Sequence, residues 1–427
     1  MINIAAGTSA TRRRFSFWAI AFAFLILLAF STAPSPLYVL YAHRDHFSSF
    51  TITLIYGAYA LGVVASLFLV GHLSDVHGRR PHLLAAVALA ATAALLFILA
   101  PGLGGLFAAR ILTGISIGLT VPTATAYLTE VHAERDARTP GARPQLTATV
   151  CNLGGLSLGA LIAGLLAQYE PHRLTTTYLV LLALLLAATV AITLSLETRP
   201  RRRPTPPYRP QRASTPAGAR SEFLAALTGV FLAYAAPAVF VGLAGTFLAT
   251  AVHDTSLATA GLAIFILFAV GVTLLTATTQ WPAQRLLVCG VALDILGLTL
   301  LVISAWLPTP SLALFLIAGG FVGAGASALF KGTLGTVISI STPDTLGESL
   351  TGFFLSGYFG LSLPAIAVGI ALQFISLKAT LLAFAIIVSL GIVSALRRLL
   401  RAQRPAPSAR GGAFSGRSRA ADRHPVR

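Results

Sequence analysis

The sequence predicts an all-α membrane protein whose twelve transmembrane helices form two pseudo-symmetric six-helix bundles. Three observations predict this fold. Hydrophobic residues make up 56% of the 427-residue chain and charged residues only 10%, whereas soluble domains carry about 25% charged residues. Apolar runs long enough to cross ~30 Å of hydrocarbon recur along the whole chain. A basic, proline-rich segment near the middle divides these runs into six and six.

The twelve apolar runs are predicted to be transmembrane helices, numbered spans 1 to 12 in chain order. The first run is too long, and too polar around residues 31–36, to be a cleaved signal peptide, so we expect it to be retained. Prolines in spans 1, 4, 7 and 11 are expected to bend those helices and to shape a cavity. The runs cover about residues 16–41, 50–71, 82–101, 104–129, 146–169, 175–196, 223–250, 257–279, 285–307, 311–334, 348–373 and 376–396.

The basic residues are sorted to one side of these spans. With the N-terminus inside, all but four of the 30 Lys and Arg residues fall in cytoplasmic segments or at their edges; the exceptions are Arg44, Arg110, Arg173 and Lys378. Because cytoplasmic loops carry such an excess, we predict a multi-pass protein of the bacterial inner (plasma) membrane with both termini cytoplasmic. The net charge of +17 then indicates anionic membrane lipids, and not nucleic acid, as the partner of the basic tails.

The Arg- and Pro-rich segment at residues 198–221 cannot bury apolar area and is predicted to be an exposed cytoplasmic linker. It separates an N-terminal bundle, residues 16–197, from a C-terminal bundle, residues 222–396. Residues 1–15 are predicted to be a cytoplasmic tail, and residues 397–427 a disordered basic one.

An internal repeat supports the division into halves. The segment from Gly155 to Gly164 in span 5 matches the segment from Gly360 to Gly369 in span 11 at six of ten positions. A chance match between Leu- and Ala-rich stretches is the alternative. Two related halves place a substrate site at their interface, near the middle of the membrane.

Residues 71–80, between spans 2 and 3, have the sequence Gly-His-Leu-Ser-Asp-Val-His-Gly-Arg-Arg. Gly78 permits a tight reversal of the chain, and Asp75, near the end of span 2, can face a helix terminus or a cation. Arg79 and Arg80 can pair with carboxylates or with lipid phosphates. A basic turn that only fixes topology is the alternative interpretation.

This decapeptide resembles the signature loop between helices 2 and 3 of the major facilitator superfamily, and the resemblance extends over residues 15–400. Val76 stands where that family usually has a basic residue. The resemblance implies a monomeric secondary transporter that moves a small molecule by alternating access and needs no cofactor. Glu130 resembles the family's acidic residue at the inner end of helix 4, and three arginines are expected partners for it: Arg79, Arg138 and Arg143. The matching loop positions are Gly71, Leu73, Ser74, Asp75, Gly78, Arg79 and Arg80.

Arg110 lies inside span 4, about two turns from its outer end, and is followed by Gly114 and Gly118. The arrangement is similar to a family motif, widespread in proton-coupled members, in which a buried arginine of helix 4 precedes a glycine-rich face. A guanidinium within the hydrocarbon costs about 3 kcal/mol or more. Either the side chain snorkels to the outer surface, or it faces the cavity and acts in proton coupling or anion recognition.

Asp294 is the only carboxylate near the middle of a span, and an isolated intramembrane acid is a functional hypothesis by default. It is a natural site for a coupling proton. Helix 9 of the family is usually peripheral, however, which favours a neutral, hydrogen-bonded structural aspartate.

Span 5 contains Asn152 and small residues at four-residue spacing, which let helices approach closely. Drug/proton antiporters of the family carry a glycine-rich motif with a proline here, and that proline is missing. The missing proline weakens the indication of antiport, and pure helix packing is the alternative interpretation of this segment. Asn152 is a candidate for coupling or substrate binding. Gly155 and Gly159, with Gly360 of span 11, are candidates for packing helices together where the two halves meet.

No pattern of soluble catalysis is present: there is no His/Cys cluster with metal spacing and no phosphate-binding loop. We predict no enzyme, no metal and no cofactor. A proton-driven exporter of lipophilic molecules is favoured, because spans 1, 4, 7 and 10 offer mostly Ser, Thr, Tyr, Phe and Gly. The alternative is an uptake permease for a sugar, an organic anion or another metabolite. A membrane-embedded glycosyltransferase is disfavoured, because the outer loops are short and nearly free of carboxylates.

Overall fold

The computed structural model describes residues 2–69, 74–133, 142–199, 215–216, 218–249, 254–342 and 345–402. Within these segments the fold is all-helical, and twelve helices are long and apolar enough to cross a membrane. The chain is therefore a multi-pass membrane protein, as its composition predicts. The spans are Thr11–Asp45, Ser49–Leu69, Arg79–Leu99, Leu103–Ala133, Arg143–Tyr169, Arg173–Leu194, Arg220–Phe247, Leu257–Ala277, Ala283–Trp306, Leu312–Ile340, Leu346–Ala371 and Leu377–Arg401.

Span 1 is divided by its prolines. A helix at Ile2–Thr32 ends just before Pro34, and a second helix, Pro34–Asp45, continues the span. Proline has no N–H and its ring clashes with the carbonyl four residues earlier, so the hydrogen-bond ladder cannot continue unbroken. The helices of spans 4, 7 and 11 run past their own prolines without ending. Among the described residues, proline interrupts only span 1.

Several helices are longer than the apolar runs predict. The first helix begins at Ile2, inside the predicted tail, and span 7 begins at Arg220, inside the predicted linker. The helix of span 12 ends at Ala402, several residues beyond the apolar run. Arginine is a good helix former and can bury its methylenes while its charge stays in water, so these helices continue through basic residues. Most of the linker and residues 403–427 lie outside the described part of the chain.

The main contacts between spans repeat with a shift of six, which is the pseudo-symmetry expected from the repeat. Spans 1 and 5 pack together as spans 7 and 11 do, spans 2 and 4 as spans 8 and 10, and spans 3 and 4 as spans 9 and 10. Between the halves, span 5 packs on span 8 and span 2 packs on span 11. A shift of six spans relates these two contacts as well, because span 5 corresponds to span 11 and span 2 corresponds to span 8.

The packing glycines lie at helix interfaces, but not at the interface expected from the repeat. A Cβ at Gly155 would lie 2.5 Å from the carbonyl oxygen of Leu25 in span 1, and one at Gly159 would overlap the Ala29 carbonyl. A Cβ at Gly360 would overlap the Phe231 carbonyl of span 7. All three glycines therefore let helices approach within one half, and the expectation that they join the halves was wrong.

Other small residues pack the two halves against each other. A Cβ at Gly164 of span 5 would lie 3.0 Å from the Cα of Gly261 in span 8. Span 2 meets span 11 in the same way, and a Cβ at Gly57 would lie 2.9 Å from Ile366. We call the end of the molecule that carries Gly78 the motif end, and the other end the opposite end. Both of these contacts between the halves lie nearer to the opposite end.

Candidate substrate site and signature loop

Arg110 is buried between spans 1, 2 and 4, with only 2% of its surface exposed. One terminal nitrogen donates to the carbonyl oxygen of Ser31 at 2.9 Å. Ser31 belongs to the last turn of the helix that ends at Thr32, where carbonyls lack helical N–H partners. The break in span 1 thus supplies the acceptor for the buried guanidinium. Because Arg110 does not reach the surface, the snorkelling interpretation does not fit this structure.

Tyrosine rings surround the same guanidinium. Its Cζ atom lies 4.9 Å from the ring centroid of Tyr59 and 5.9 Å from that of Tyr56, both in span 2. A cation over an aromatic face is stabilised by the ring quadrupole, by about 2 kcal/mol when the pair is desolvated. Gly114, one turn after Arg110, packs directly on the backbone of Tyr59, so span 2 approaches span 4 closely there. Gly118 continues this contact against Ser66.

Two buried donors at this cluster have no acceptor of good geometry among the described residues, namely Arg110 Nε and the Tyr38 O–H. The Tyr38 oxygen nevertheless lies close enough to the guanidinium to accept from it. Among the described residues no carboxylate forms an ion pair with Arg110. Buried polar groups are normally paired, so the N-terminal half presents unused donors beside a fixed positive charge.

Aromatic side chains of the C-terminal half face this cluster. Tyr234 of span 7 has its ring centroid 5.8 Å from Phe330 of span 10 and 6.4 Å from Tyr358 of span 11. Both tyrosines are half-buried and lie within electrostatic range of Tyr59 across the interface between the halves. We call the following residues the central aromatic site: Tyr38, Tyr56, Tyr59, Arg110, Tyr234, Phe330 and Tyr358.

Sequence reasoning found Arg110 but did not single out these tyrosines. The sequence did contain an indication of these tyrosines, because a tyrosine in the middle of an apolar span needs a polar partner for its hydroxyl. Tyrosines of lipid-facing positions gather at the membrane interfaces instead.

At the motif end, Arg79 and Glu130 form a partly buried ion pair. Arg79 donates to Glu130 at 3.0 Å, and its other terminal nitrogen donates to the Ser74 hydroxyl at 2.7 Å. The expected pairing of Glu130 with Arg79 is therefore present; Arg143 forms no ion pair with a described residue, and Arg138 lies outside the described residues. Arg199 also donates to the Glu130 carboxylate, at 3.0 Å, and the Thr198 hydroxyl donates to it at 2.6 Å. Glu130 therefore joins span 4 to span 3 and to the segment that follows span 6.

Glu197 caps the start of span 3, a role that the sequence analysis missed. Its carboxylate accepts hydrogen bonds of 3.0 Å from the backbone N–H groups of Arg79 and Arg80. A carboxylate at a helix N-terminus satisfies donors that have no helical partner and meets the positive end of the helix dipole. Gly78 makes room for it: its φ is +103°, and a Cβ there would lie 2.8 Å from a Glu197 oxygen. Gly71 lies outside the described residues, as does the side chain of Asp75.

This structure agrees with the comparisons to known proteins. The family model described as Major Facilitator Superfamily matches residues 20–293. The chain belongs to the Major Facilitator Superfamily. It is therefore a transporter and not an enzyme, and its fold is the one predicted.

Three solved structures share the superfamily fold with this chain. A mutant of the nucleoside transporter NupG superposes with a TM-score of 0.67 at 11% identity, covering 91% of this chain and all of that one. The human organic anion transporter MFSD10 (TETRAN) gives 0.62 at 15% identity, covering 91% and 99%. A POT family transporter in complex with 5-aminolevulinic acid gives 0.71 at 10% identity, covering 92% and 96%. At these identities the similarity concerns the fold alone.

Two residues that were predicted to act in coupling or substrate binding, Asp294 and Asn152, do not belong to the central aromatic site. Asp294 is fully buried on span 9, whose main contacts among the described residues are with spans 10 and 12 of the same half. Neither carboxylate oxygen has a hydrogen-bond partner among the described residues, so the hydrogen-bonded aspartate expected from the sequence is not found. Asn152 is half-buried on span 5 and makes no hydrogen bond to a described residue.

We expect Glu197→Gln to loosen the start of span 3. Glutamine offers one acceptor oxygen where the carboxylate offers two, and it lacks the charge that meets the helix dipole. Losing such a cap costs about 1 kcal/mol, so amide hydrogen exchange at Arg79 and Arg80 should accelerate about fivefold. Glu222→Gln is the matched control, because Glu222 accepts only from the neighbouring Ser221 side chain. Equal exchange in both variants would mean that Tyr127, which donates to the Leu196 carbonyl, holds this segment instead.

Proposed function

We propose that this transporter is a proton-driven exporter of lipophilic, aromatic small molecules, which bind at the central aromatic site. The observation that carries the proposal is the composition of that site. Tyrosine and phenylalanine rings from both halves face each other there, and Arg110 is its one charged side chain. Such rings give apolar contact area together with hydroxyl groups. A site contributed by both halves suits alternating access, because rocking of the halves exposes it to each side in turn.

The motif end is proposed to be cytoplasmic, since the basic residues of the chain gather there. In this orientation the halves meet toward the outer side, through spans 5 and 8 and spans 2 and 11. The second helix of span 1, Pro34–Asp45, also packs on spans 7 and 8 at that end. The conformation is then one in which the outer gate is closed.

The charge of Arg110 sets the expected selectivity. A fixed cation that no carboxylate neutralises repels a second cation and favours neutral or anionic substrates. An uptake permease for an organic anion is therefore the second candidate, favoured by the unpaired donors at Arg110 Nε and at the Tyr38 hydroxyl. The fold is compatible with both an exporter and an uptake permease and does not distinguish between them.

Proteoliposomes test the proposal directly. We expect an imposed pH gradient to drive a neutral aromatic dye or an anionic fluorescein derivative across the membrane, and cationic ethidium to move at least tenfold more slowly. A protonophore should abolish accumulation against the gradient. Whole-cell dye accumulation with and without the protonophore then gives the direction. Ethidium transport that matches the neutral dye would contradict the proposed selectivity, and protonophore-resistant accumulation would contradict proton coupling.

Asp294 is proposed to contribute to proton coupling, because it is a buried carboxyl with no hydrogen-bond partner among the described residues. We expect Asp294→Asn to reduce accumulation against a gradient while exchange of substrate across the membrane continues. The defect should be smaller than that of an Arg110 variant, since span 9 is not part of the central aromatic site. Asp45→Asn is the control, because Asp45 is partly exposed and paired with Arg44. Wild-type accumulation in Asp294→Asn would mean that this side chain is only a neutral packing group.

A further inference from the structure

A cavity opens on the outside of the N-terminal half, where the motif-end parts of spans 1, 4 and 5 converge. Its volume is about 290 Å³. Arg13 and Arg14 line it from span 1, His132 from span 4 and Arg143 from span 5. It is therefore separate from the central aromatic site, to which it contributes no residue.

The described lining of this cavity is rich in positive charge. None of its lining residues is a carboxylate, and Glu130, two residues before His132, is already held by Arg79 and Arg199. Arg14 and Arg143 are exposed and form no ion pair with a described residue. Two arginines at the rim of one pocket can each donate in a planar fork, the geometry that suits a phosphate group.

An apolar strip leads away from the charged pocket along two helices that pack on each other. Trp18 of span 1, with 60% of its surface exposed, is followed one turn later by exposed Phe22. Leu146 and Val150 of span 5, also one turn apart, are exposed beside them. Both helices begin at the motif end, so the strip runs from the pocket toward the middle of the membrane. Tryptophan is typical of the level where lipid headgroups meet acyl chains.

We propose that this pocket is a binding site for an anionic phospholipid. Its headgroup phosphate lies between Arg14 and Arg143, and its acyl chains lie along Trp18, Phe22, Leu146 and Val150. A soluble phosphate would use the arginines but would leave the apolar strip without a role. Basic pockets between transmembrane helices bind anionic headgroups by the same combination of charge and depth.

The tryptophan content of the chain permits a direct measurement. The protein has three tryptophans, so Trp281→Phe with Trp306→Phe leaves Trp18 as the only one. This variant is reconstituted in phosphatidylcholine with a small fraction of either phosphatidylglycerol or phosphatidylcholine brominated on its acyl chains. Bromine quenches a nearby indole, so the ratio of the two quenching curves gives the relative binding constant at Trp18. We expect phosphatidylglycerol to be preferred.

Arginine variants in the same background decide the origin of that preference. In Arg14→Gln with Arg143→Gln, the preference should fall by about fivefold for each arginine removed, while Arg14→Lys with Arg143→Lys should retain most of it. Arg397→Gln with Arg398→Gln removes two exposed arginines from span 12 at the same end and should change nothing. Equal loss in this control would overturn the site in favour of diffuse attraction. Displacement of the brominated lipid by millimolar inorganic phosphate would assign the pocket to a soluble anion and would also overturn it.

Discussion

Arg110→Lys should abolish accumulation of substrate against a gradient while substrate exchange continues. The lysine ammonium keeps the charge, but it lacks the planar fork that both donates to the Ser31 carbonyl and lies over the Tyr59 ring. Losing the hydrogen bond from a buried charged group to the Ser31 carbonyl costs about 2 kcal/mol, so we expect proton-driven accumulation to fall about thirtyfold. Transport in proteoliposomes is measured in two modes, with an imposed pH gradient and as exchange of labelled for unlabelled substrate.

Arg44→Lys provides the matched control. Arg44 also lies over a tyrosine ring, with its Cζ 5.3 Å from the centroid of Tyr41, but it is exposed at the opposite end and paired with Asp45. Its replacement should leave both modes of transport unchanged, since an exposed pair contributes little. If Arg110→Ala keeps full proton-driven flux, Arg110 has no part in coupling. If Arg110→Lys abolishes exchange as well as accumulation, Arg110 acts in substrate binding alone and not in proton coupling.

Gly261→Leu should nearly stop turnover without weakening substrate binding. The Cβ would lie 2.5 Å from the Ala160 carbonyl oxygen of span 5, and backbone cannot give way as a side chain can. Spans 5 and 8 would be held apart and the opposite end could not close. Overpacking of this kind costs about 1–3 kcal/mol, which corresponds to a loss of the closed state by about fivefold to about 150-fold. Turnover and equilibrium substrate binding are measured on the same preparation.

Cross-linking reports the closed state directly. The chain has only two cysteines, Cys151 and Cys289, so a cysteine-free background is readily made and a pair can be placed at Val39 and Gly245, which meet at the opposite end. Gly261→Leu should lower the cross-linking yield. Gly347→Leu is the control, because nothing lies near its Cβ position. Gly360→Leu tests packing within one half and should lower stability instead. An unchanged yield and turnover in Gly261→Leu would show that this contact does not limit closure.

The parts of the fold that depend on local composition could be predicted from the sequence. Apolar length gave the twelve spans, because a hydrocarbon layer demands about 20 apolar residues, and the basic segment after span 6 marked the division into halves. The family resemblance rested on ten contiguous residues and on Arg110, whose isolation in an apolar span made it conspicuous.

The contacts that could not be predicted join residues far apart in the chain. Glu197 follows span 6 yet caps span 3, and nothing in its own neighbourhood indicates that partner. Gly155, Gly159 and Gly360 have the small-residue spacing that predicts close packing, but the spacing does not say which helix is approached. They pack on spans 1 and 7 within their halves, whereas Gly164 and Gly261 join the halves.

In the proposed mechanism, the break in span 1 connects the binding of a substrate to the movement of a helix. Ser31, whose carbonyl holds Arg110, precedes the break, and the segment after it, Pro34–Asp45, packs on spans 7 and 8 of the other half. A substrate group that draws the guanidinium away leaves this carbonyl without its donor at the point where the span is interrupted. Occupancy of the site thereby changes the free energy of moving Pro34–Asp45. In the proposed mechanism, one backbone oxygen thus takes part both in substrate recognition and in the hinge at which the proposed outer gate moves.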